Sequence, residues 1–172
     1  MQIELGQLLD YIQPTKYIVS SEQYDDSYNT PVLTAGKTFI LGYTNDESGI
    51  YECSPNNEVI LFDDFTTASR LIDFNFKVKS SACKILVPKP GVDIRYVFYA
   101  MKMIKVNTDS HKRYWISIYS KQKIYYPDEC ERNKIKKIFD EINELIDINR
   151  RKISLYEELI DSKLNEYFKF KE

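Results

Sequence analysis

The clearest pattern of apolar and polar positions lies in the last quarter of the chain, from Asp128 to Phe168. Apolar residues return there with the alternating three- and four-residue spacing of a coiled-coil seam, and neither Pro nor Gly interrupts them. The pattern predicts one long helix of roughly 60 Å at ~1.5 Å per residue, which needs another helix along its face. The predicted seam contains Phe139, Ile142, Ile146, Asn149, Ile153, Tyr156 and Ile160, and it is widened by Ile138, Leu145 and Leu159.

The start of this helix carries its own signals. Pro127 ends the preceding strand, Asp128 can cap the helix N-terminus, and Glu131 stands where a capping box has an acid. Asn149 lies in the middle of the seam, where its amide either bonds to the facing helix and sets the register or lies at a solvated edge. The sequence leaves both alternatives open.

Shorter patterns in the preceding 127 residues predict a compact, β-rich domain with short helices. The predicted helices are Glu4–Ile12 and Ile94–Lys105, and Asp93 is the expected cap of the second. In Phe74–Lys79 the alternation predicts a half-buried strand with its lysines on the open face. The fold class is therefore α+β, with a small mixed domain at 1–127 and one long coiled-coil helix at 128–172. The other predicted strands are Tyr17–Val19, Pro31–Leu33, Thr38–Leu41, Glu58–Phe62, Ala82–Val87, Tyr114–Tyr119 and Lys123–Tyr126.

Composition narrows the class of protein. A chain of 172 residues with 43% apolar residues can bury a core. Cys53, Cys83 and Cys130 show neither CxxC spacing nor a Cys/His pairing, which disfavours a disulfide frame or a zinc site. No run approaches ~18 consecutive apolar residues. We therefore expect free thiols in a soluble, cytoplasmic protein without a membrane span.

The net charge of −2 conceals an uneven distribution along the chain. Residues 1–65 hold two basic and eleven acidic side chains, a net charge of −9, whereas residues 66–123 hold twelve basic and three acidic ones, a net charge of +9. A phosphate-facing surface requires such a cationic region. Alternatively, the two halves pair with each other within one fold. The charges alone favour neither interpretation.

Two loops carry groups that suit DNA. His111, Lys112 and Arg113 place an imidazole and two cations beside Tyr114, and an arginine can bond to guanine or phosphate through two N–H groups at once. Trp115, the only tryptophan, is expected in the core.

The other loop lies between two predicted strands. Thr34, Gly36 and Lys37 provide a small hydroxyl, a flexible backbone and a cation, which would let the chain approach a ligand closely. An ordinary hairpin turn explains Gly36 equally well.

Several enzyme classes lack their motifs. Asp63 and Asp64 could hold Mg²⁺, but no acid-x-Lys element completes a nuclease site, and a strand-ending turn is the commoner use of this composition. The chain contains no P-loop, no glycine-rich loop for S-adenosylmethionine and no Asn/Asp-Pro-Pro-aromatic motif of the kind that amino-methyltransferases carry. We therefore predict that the chain is not catalytic.

Three stretches together resemble the specificity subunits of type I restriction-modification systems. They are TPVLTAGKTFILGYT (Thr30–Thr44), VILFDDFTTASRLIDFNFKVKSSACKIL (Val59–Leu86) and HKRYWISIYSKQKIYYP (His111–Pro127), and a long helix follows at once. The resemblance implies a target-recognition domain that reads one half of a bipartite double-stranded DNA sequence. It also implies that the helix packs antiparallel to a second helix and docks methyltransferase subunits. The residues that we predict to contact DNA are Thr34, Lys37, Tyr43, Thr66, Thr67, Arg70, Lys77, Lys79, His111, Lys112, Arg113 and Tyr114.

The chain departs from this family in carrying one recognition domain and one helix where a full subunit has two of each. It is therefore similar to a half-subunit, either natural or truncated. If it is natural, the resemblance implies a homodimer through the helix, with an interrupted palindrome as its target. The chain itself is expected to bind no cofactor; S-adenosylmethionine, ATP and Mg²⁺ would belong to partner methyltransferase and restriction subunits, the latter contacted indirectly. The alternative is a non-catalytic protein-interaction module that acts through the helix. The base sequence recognised does not follow from the amino-acid sequence.

Overall fold

The computed structural model describes residues 1–36, 38–106 and 113–168. The chain divides into two compact units, a globular unit at Met1–Asp128 and a helical unit at Glu129–Glu172. The predicted α+β class is confirmed, since strands and short helices make up the first unit and one long helix the second. The roles that the sequence suggests for 1–127 and 128–172 stay predictions.

A four-stranded antiparallel sheet forms the centre of the globular unit. Its order is β2 (Leu9–Ile12), β8 (Cys83–Pro88), β5 (Val59–Asp63) and β6 (Ser69–Ile72). The apolar run in β5 has no polar face because the sheet is covered on both sides. Ile60 and Phe62 point into one hydrophobic cluster, and Val59 and Leu61 point into the other.

Three short helices and a small two-stranded antiparallel sheet cover the first face of the central sheet. The helices are α1 (Leu5–Leu8), α2 (Ile94–Met101) and α3 (Tyr114–Ser117), and the two-stranded sheet pairs β1 (Gln2–Glu4) with β9 (Lys123–Tyr125). Asp93 caps α2 as predicted, because its Oδ1 accepts a hydrogen bond from the Tyr96 N–H at 3.1 Å. Trp115 lies in this core with 2% exposure, which confirms its predicted place.

A three-stranded sheet covers the second face, in the order β4 (Ile40–Thr44), β3 (Thr30–Leu33) and β7 (Lys77–Val78). β3 runs antiparallel to β4 and parallel to β7. Its apolar residues complete the second cluster with Phe76 and Val78, both fully buried. Two 3₁₀-helices, Pro14–Tyr17 and Tyr119–Lys121, complete the unit.

The prediction of one helix over Glu4–Ile12 is wrong. The segment forms β1, the single turn α1 and then β2, whose residues Leu9 and Ile12 pair with Pro88 and Ile85 of β8. The leucine spacing of this segment is compatible with a helix and also with the observed order of strand, helical turn and strand. The strand β2 forms because its pairing with β8 outweighs the weak helical propensity of the segment.

The prediction of a strand over Tyr114–Tyr119 is also wrong, since α3 and a 3₁₀-helix occupy it. Trp115 and Tyr119 are four residues apart and so share one side of a helical turn. Both rings contact Phe62, with centroid distances of 5.4 and 4.8 Å. Packing of two large aromatic rings on Phe62 thus decides the local structure.

Two further strand predictions need correction. Only Lys77–Val78 of the stretch Phe74–Lys79 is a strand, and it has no open face, since Phe76, Lys77 and Val78 are all buried. At Tyr17–Val19 the chain leaves a 3₁₀-helix and forms only an isolated bridge between Ile18 and Val78. The strand β6 was not predicted.

The second unit is the helix α4, Glu129–Tyr167, which confirms the predicted helix to within a residue at each end. None of its described side chains is buried, and the predicted seam residues are 41% to 63% exposed. The Asn149 amide donates to the Leu145 carbonyl of the same helix at 2.8 Å. No helix within the described ranges is long and apolar enough to cross a membrane.

Candidate nucleic-acid interface

The turn between β5 and β6 is held by its own hydrogen bonds. The Asp63 N–H donates to the Ala68 carbonyl at 2.8 Å, and the Asp63 carboxylate accepts from the N–H groups of Phe65 and Thr66 at 2.8 and 3.0 Å. Thr67 has a φ of 61°, which is uncommon for a β-branched residue. Asp63 thus acts in a strand-ending turn, as predicted, and the turn presents Phe65 and Thr66 to solvent.

Asp64 is buried and joins this turn to the start of α3. One carboxylate oxygen accepts from the Trp115 N–H at 2.7 Å, and the backbone carbonyl accepts from the Tyr114 N–H at 2.9 Å. The other carboxylate oxygen lies 3.4 Å from the Lys84 ammonium, which also donates to Gln13 at 2.9 Å. Since Asp64 and Lys84 are each 1% exposed or less, this ion pair lies in the interior.

Arg113 lies beside the turn as a consequence. Its guanidinium is 6.0 Å from the centroid of the Phe65 ring, within cation–π distance, and the residue is exposed. The backbone bonds of Tyr114 and Trp115 to Asp64 set this position, so Arg113 and Phe65 form one exposed feature.

Arg70 lies on β6, the second strand of the same hairpin, where it contacts the β3–β4 turn. It is exposed, and its guanidinium lies 5.5 Å from the Phe39 ring. Phe39 belongs to the β3–β4 turn, where its carbonyl accepts from the Thr34 N–H at 2.9 Å. Two segments that are distant in the sequence therefore contact the β5–β6 hairpin, Phe39 at Arg70 and Arg113 at Phe65. We call these four residues, with Thr66, the convergent surface.

Lys102, on the C-terminal side of α2, is exposed, but its ammonium is held by the neighbouring strand β6. Its ammonium donates to the carbonyl and hydroxyl of Ser69 at 2.8 and 3.2 Å and lies 4.4 Å from the Phe98 ring. Burial, and after it the positive charge of Arg70, lowers the pKa of Lys102.

Pairing within the fold neutralises much of the cationic segment 66–123. Eleven of its twelve basic residues are described, and five of these form ion pairs with carboxylates from residues 1–65. The other six described cations, Arg70 and Arg113 among them, have no carboxylate at ion-pair distance within the described part of the chain. The five pairs are Lys77–Asp46, Lys79–Glu22, Lys84–Asp64, Lys89–Asp10 and Arg95–Glu58.

The prediction that Lys77 and Tyr114 contact DNA is corrected by their burial, at 1% and 3% exposure. The Lys77 ammonium lies 3.0 Å from Asp46 and donates to the Ser48 carbonyl, so it holds the 46–49 loop. Hydrogen bonds from the Ser48 and Ser20 hydroxyls, and after them the pairing with Lys77, keep the pKa of Asp46 well below its usual value. Tyr114 packs inside because α3, not a strand, occupies its position.

The other predicted contacts are distributed more widely. Lys79 is half-buried and paired with Glu22. The Thr34 hydroxyl donates to the Thr38 carbonyl at 2.8 Å and accepts from the Gly36 N–H, so it serves its own turn. Thr67 is half-buried in the β5–β6 turn. Lys37, His111 and Lys112 lie outside the described residues.

Tyr43 lines a surface cavity of about 540 Å³ on the three-stranded sheet. Asn75 also lines it, with its side-chain oxygen held by the Cys53 N–H at 2.8 Å. Tyr43 is therefore not part of the convergent surface as it is defined here. The remaining lining residues are Asn29, Pro31, Ile40, Cys53 and Phe74.

Phe65 is the residue of this surface that sequence reasoning missed. It was taken only as part of a turn, although an aromatic residue between two acids and two threonines has no local apolar partner. That isolation was the available signal. Among the described residues, no group of three or more His, Cys, Asp or Glu side chains could hold a metal ion.

Comparison with known proteins gives a consistent relationship. No protein-family model matches the chain. The chain is 46% identical over 149 residues to the type I restriction enzyme EcoR124I/EcoR124II specificity subunit of Escherichia coli, covering 84% of this chain and 37% of that protein.

Solved structures share the fold at low sequence identity. The type I restriction-modification S subunit of M. genitalium aligns with a TM-score of 0.61 at 18% identity, covering 98% of this chain and 48% of that one. The HsdS subunit of Thermoanaerobacter tengcongensis aligns with a TM-score of 0.51 at 12% identity, covering 88% and 39%. The chain thus spans less than half the length of each of these relatives.

Proposed function

This chain belongs to the specificity subunits of type I restriction-modification systems, and we propose that its globular unit recognises double-stranded DNA in a sequence-specific way. The convergent surface is the observation that carries the proposal. Arg70 and Arg113 are exposed there without carboxylate partners among the described residues, while five other cations of the same segment are paired internally. Two exposed guanidinium groups suit phosphate oxygens and guanine edges.

Within this surface the groups divide by chemistry. Arg113 has the geometry to reach a base edge from a fixed backbone position, and the Thr66 hydroxyl suits a phosphate oxygen. Lys37, His111 and Lys112 remain predicted contacts, since each lies next to or within a segment that carries a residue of this surface. Lys79 would contact phosphate only if it exchanged its bond to Glu22.

Salt dependence of duplex binding tests the proposal. The affinity of the purified chain for a duplex library with a randomised centre should fall steeply between roughly 50 and 200 mM salt, because phosphate contacts release counterions. Arg113→Ala should weaken binding to the selected duplexes by ~1–3 kcal/mol and relax preference at one position. Lys89→Gln is the matched control, since it removes a charge already paired with Asp10. Equal affinity and preference for the Arg113 variant would remove its assignment.

The ion pairs between the two halves of the globular unit favour a second candidate function. If the basic residues of segment 66–123 serve only to form these ion pairs, the protein is a protein-interaction module that binds its partner through the helix. Such a module would not bind duplex DNA at low salt, even with a methyltransferase subunit added. The titration above distinguishes the two candidates directly.

We also propose that a second copy of this chain covers the exposed seam of α4. Seven apolar seam or flanking residues between Ile142 and Ile160 are 41% to 63% exposed and would bury their apolar surface in a coiled coil. They are Ile142, Leu145, Ile146, Ile153, Tyr156, Leu159 and Ile160.

Charge order along α4 favours an antiparallel pair. Basic and acidic residues alternate in blocks: four basic at 132–137, four acidic at 140–147, three basic at 150–152 and three acidic at 157–161. In a parallel pair with equal register, each block would face itself. In an antiparallel pair with its two-fold axis between Asp147 and Ile148, each basic block faces an acidic one.

The same register also matches the apolar positions. Residues whose numbers add to 295 face each other in it, so Ile142 meets Ile153 and Ile135 meets Ile160. Asn149 faces Ile146 beside the axis, where its amide keeps the bond to the Leu145 carbonyl. Lys136 comes close to Glu157 on one flank, and Ile138 comes close to Leu159 on the other.

Charge reversal tests this register. Changing Arg150, Arg151 and Lys152 to Glu makes both central blocks acidic and should weaken the dimer, most strongly at low salt, because the acidic block lies on the outer side of the helix. A second variant with Asp140, Glu141, Glu144 and Asp147 changed to Lys makes both blocks basic and should weaken the dimer in the same way. Mixed together, the two variants should form a heterodimer, measured by light scattering. Monomeric wild-type protein would contradict the homodimer, and a failure of the mixture to associate would contradict the register.

In this proposal methylation and DNA cleavage belong to partner subunits. The methyltransferase subunits would dock on the helical unit and bring S-adenosylmethionine, while the restriction subunit would bring ATP and Mg²⁺ and contact this chain indirectly. The assembly would act in the cytoplasm, where the target DNA lies. Co-purification with a methyltransferase subunit, lost on deletion of 129–168, tests the docking.

A further inference from the structure

We propose that Phe65, with the Arg113 guanidinium beside its ring, is a wedge that enters a base step of duplex DNA and so contributes to sequence discrimination. The inference rests on the proposed DNA-binding function and names a contact that this function does not require. It concerns a phenylalanine whose place in the turn has no role in the core.

The exposure of Phe65 is the first observation. The globular unit has six phenylalanines, and Phe65 alone is among the exposed residues, at 36%. Phe62 and Phe76 are fully buried, and each of the other three is partly buried. Because the two hydrophobic clusters fill without Phe65, its ring is available to a ligand.

The rigidity of its support is the second observation. The N–H of Phe65 donates to the Asp63 carboxylate, and the turn closes through the bond from Asp63 to Ala68. The next residue but one, Thr67, adopts a left-handed backbone. A ring carried on a backbone fixed in this way requires no ordering of the turn on binding, which lowers the entropic cost of a direct contact.

The buried Asp64 ties the cation to the ring. Through its bonds to the N–H groups of Tyr114 and Trp115, Asp64 places Arg113 over Phe65 whatever the ligand. Asp64 and Lys84 are therefore positioning residues in this proposal. They act through the backbone and touch no DNA.

The chemistry of the pair indicates duplex DNA. An apolar ring can insert between stacked bases and unstack them, and a neighbouring guanidinium can bond to the adjacent base edge or phosphate. An exposed phenylalanine could also enter a protein pocket, but Arg113 beside it and Arg70 on the strand that leaves the turn favour a polyanion. Pyrimidine–purine steps unstack most easily, so we expect one at the contacted position.

The test uses duplexes selected by the wild-type chain from the randomised library, with 2-aminopurine placed at each position in turn. Wild-type protein should raise the fluorescence of 2-aminopurine at one step, because an unstacked base is less quenched. Phe65→Ala should abolish that rise and weaken binding about ten-fold, because its methyl group is too short to enter a base step, and Phe65→Trp should retain both. Tyr125→Ala, which removes an aromatic ring exposed on β9, is the matched control and should change neither.

The outcomes separate this inference from the proposed function. If the wild-type chain binds the selected duplexes in a salt-dependent way but Phe65→Ala leaves fluorescence and affinity unchanged, the wedge is refuted and DNA recognition stands. If the wild-type chain selects no duplex, both are refuted. We expect the Phe65→Ala variant to fold, since the turn bond of residue 65 uses its backbone alone. Unfolding in urea, followed by Trp115 fluorescence, checks this for the Phe65→Ala variant.

Discussion

In the globular unit, the lysines Lys77 and Lys84 lie in the interior, whereas in α4 isoleucines and leucines lie on the surface. The globular unit compensates its buried cations with Asp46 and Asp64 at 3.0 and 3.4 Å. The apolar residues of α4, by contrast, are not covered by other residues of the described helix. Both regions therefore depart from the usual distribution of residues, in opposite ways: the globular unit buries charged side chains, and α4 exposes apolar ones.

The difference shows where each region obtains its specificity. Buried ion pairs are weak evidence for added stability, but they join particular segments to each other, as Asp64 joins the β5–β6 turn to α3. An exposed apolar seam joins nothing within its own helix, and we expect it to select a partner. The globular unit is thus complete in its packing, while the helix is expected to be complete only in an assembly.

The largest effect should follow from breaking the buried pair. Lys84→Met leaves the Asp64 carboxylate buried without a counter-charge, so the free energy of unfolding should fall by about 3–5 kcal/mol. Urea unfolding followed by the fluorescence of Trp115 measures it. Lys137→Met, which breaks an exposed helical pair with Glu141, is the control and should cost less than about 0.5 kcal/mol. Similar losses in both variants would contradict the difference between the regions.

A charge placed in the seam should weaken association next most strongly. Ile153→Asp puts a carboxylate opposite Ile142 in the proposed dimer, so the dissociation constant should rise about 100-fold, or ~2.7 kcal/mol. Sedimentation at several concentrations measures it. Ser154→Asp adds the same charge beside the seam and should leave the dimer intact. An unchanged dimer in the Ile153 variant would place the interface on another face.

Glycine substitutions should sharpen the account of packing in the globular unit. Gly49 and Gly91 both have positive φ, 57° and 78°, but a Cβ at Gly49 would lie 2.0 Å from the Lys16 carbonyl oxygen, whereas one at Gly91 meets nothing within 4 Å. Gly49→Ala should therefore cost about 2 kcal/mol or more of unfolding free energy, and Gly91→Ala about 1 kcal/mol. Equal costs would mean that the loop at Gly49 relaxes freely.

The reactivity of the cysteine thiols should also differ between α4 and the globular unit, and this is the smallest effect that we expect. Cys130 is exposed in α4, whereas Cys53 and Cys83 are buried in the globular unit. Burial raises the pKa of Cys83 to about 11, so little of its reactive thiolate exists near pH 8. Iodoacetamide followed by peptide mass spectrometry should label Cys130 first by a wide margin. Early labelling of Cys83 would indicate local opening of the central sheet.

The sequence predicted elements that depend on local pattern. The helix α4 follows from an uninterrupted apolar repeat, and the Asp93 cap from a single side chain at a helix start. β5 followed from a short apolar run. Where pattern was ambiguous, as at Glu4–Ile12 and Tyr114–Tyr119, pairing with β8 and packing on Phe62 decided the structure.

The candidate site was predictable only in part. The resemblance identified the segments that contain Arg70 and Arg113, and the structure exposes both residues without a carboxylate partner among the described residues. The resemblance could not distinguish Arg70 and Arg113 from Lys77. A lysine can be buried only where the folded chain places a carboxylate close to it. Asp46 is distant from Lys77 in the sequence, and no local pattern reports that pairing.

The sequence by itself determined the two kinds of region in this protein, since heptad spacing and a β-rich apolar content are properties of neighbouring residues. The tertiary structure alone decided which cations are paired internally and which stay at the surface, and it alone placed Arg113 over Phe65. The physical reason is that charge compensation and ring contacts act through space over a few ångströms. Residues far apart in the chain meet at such distances only after the sheets and helices have packed.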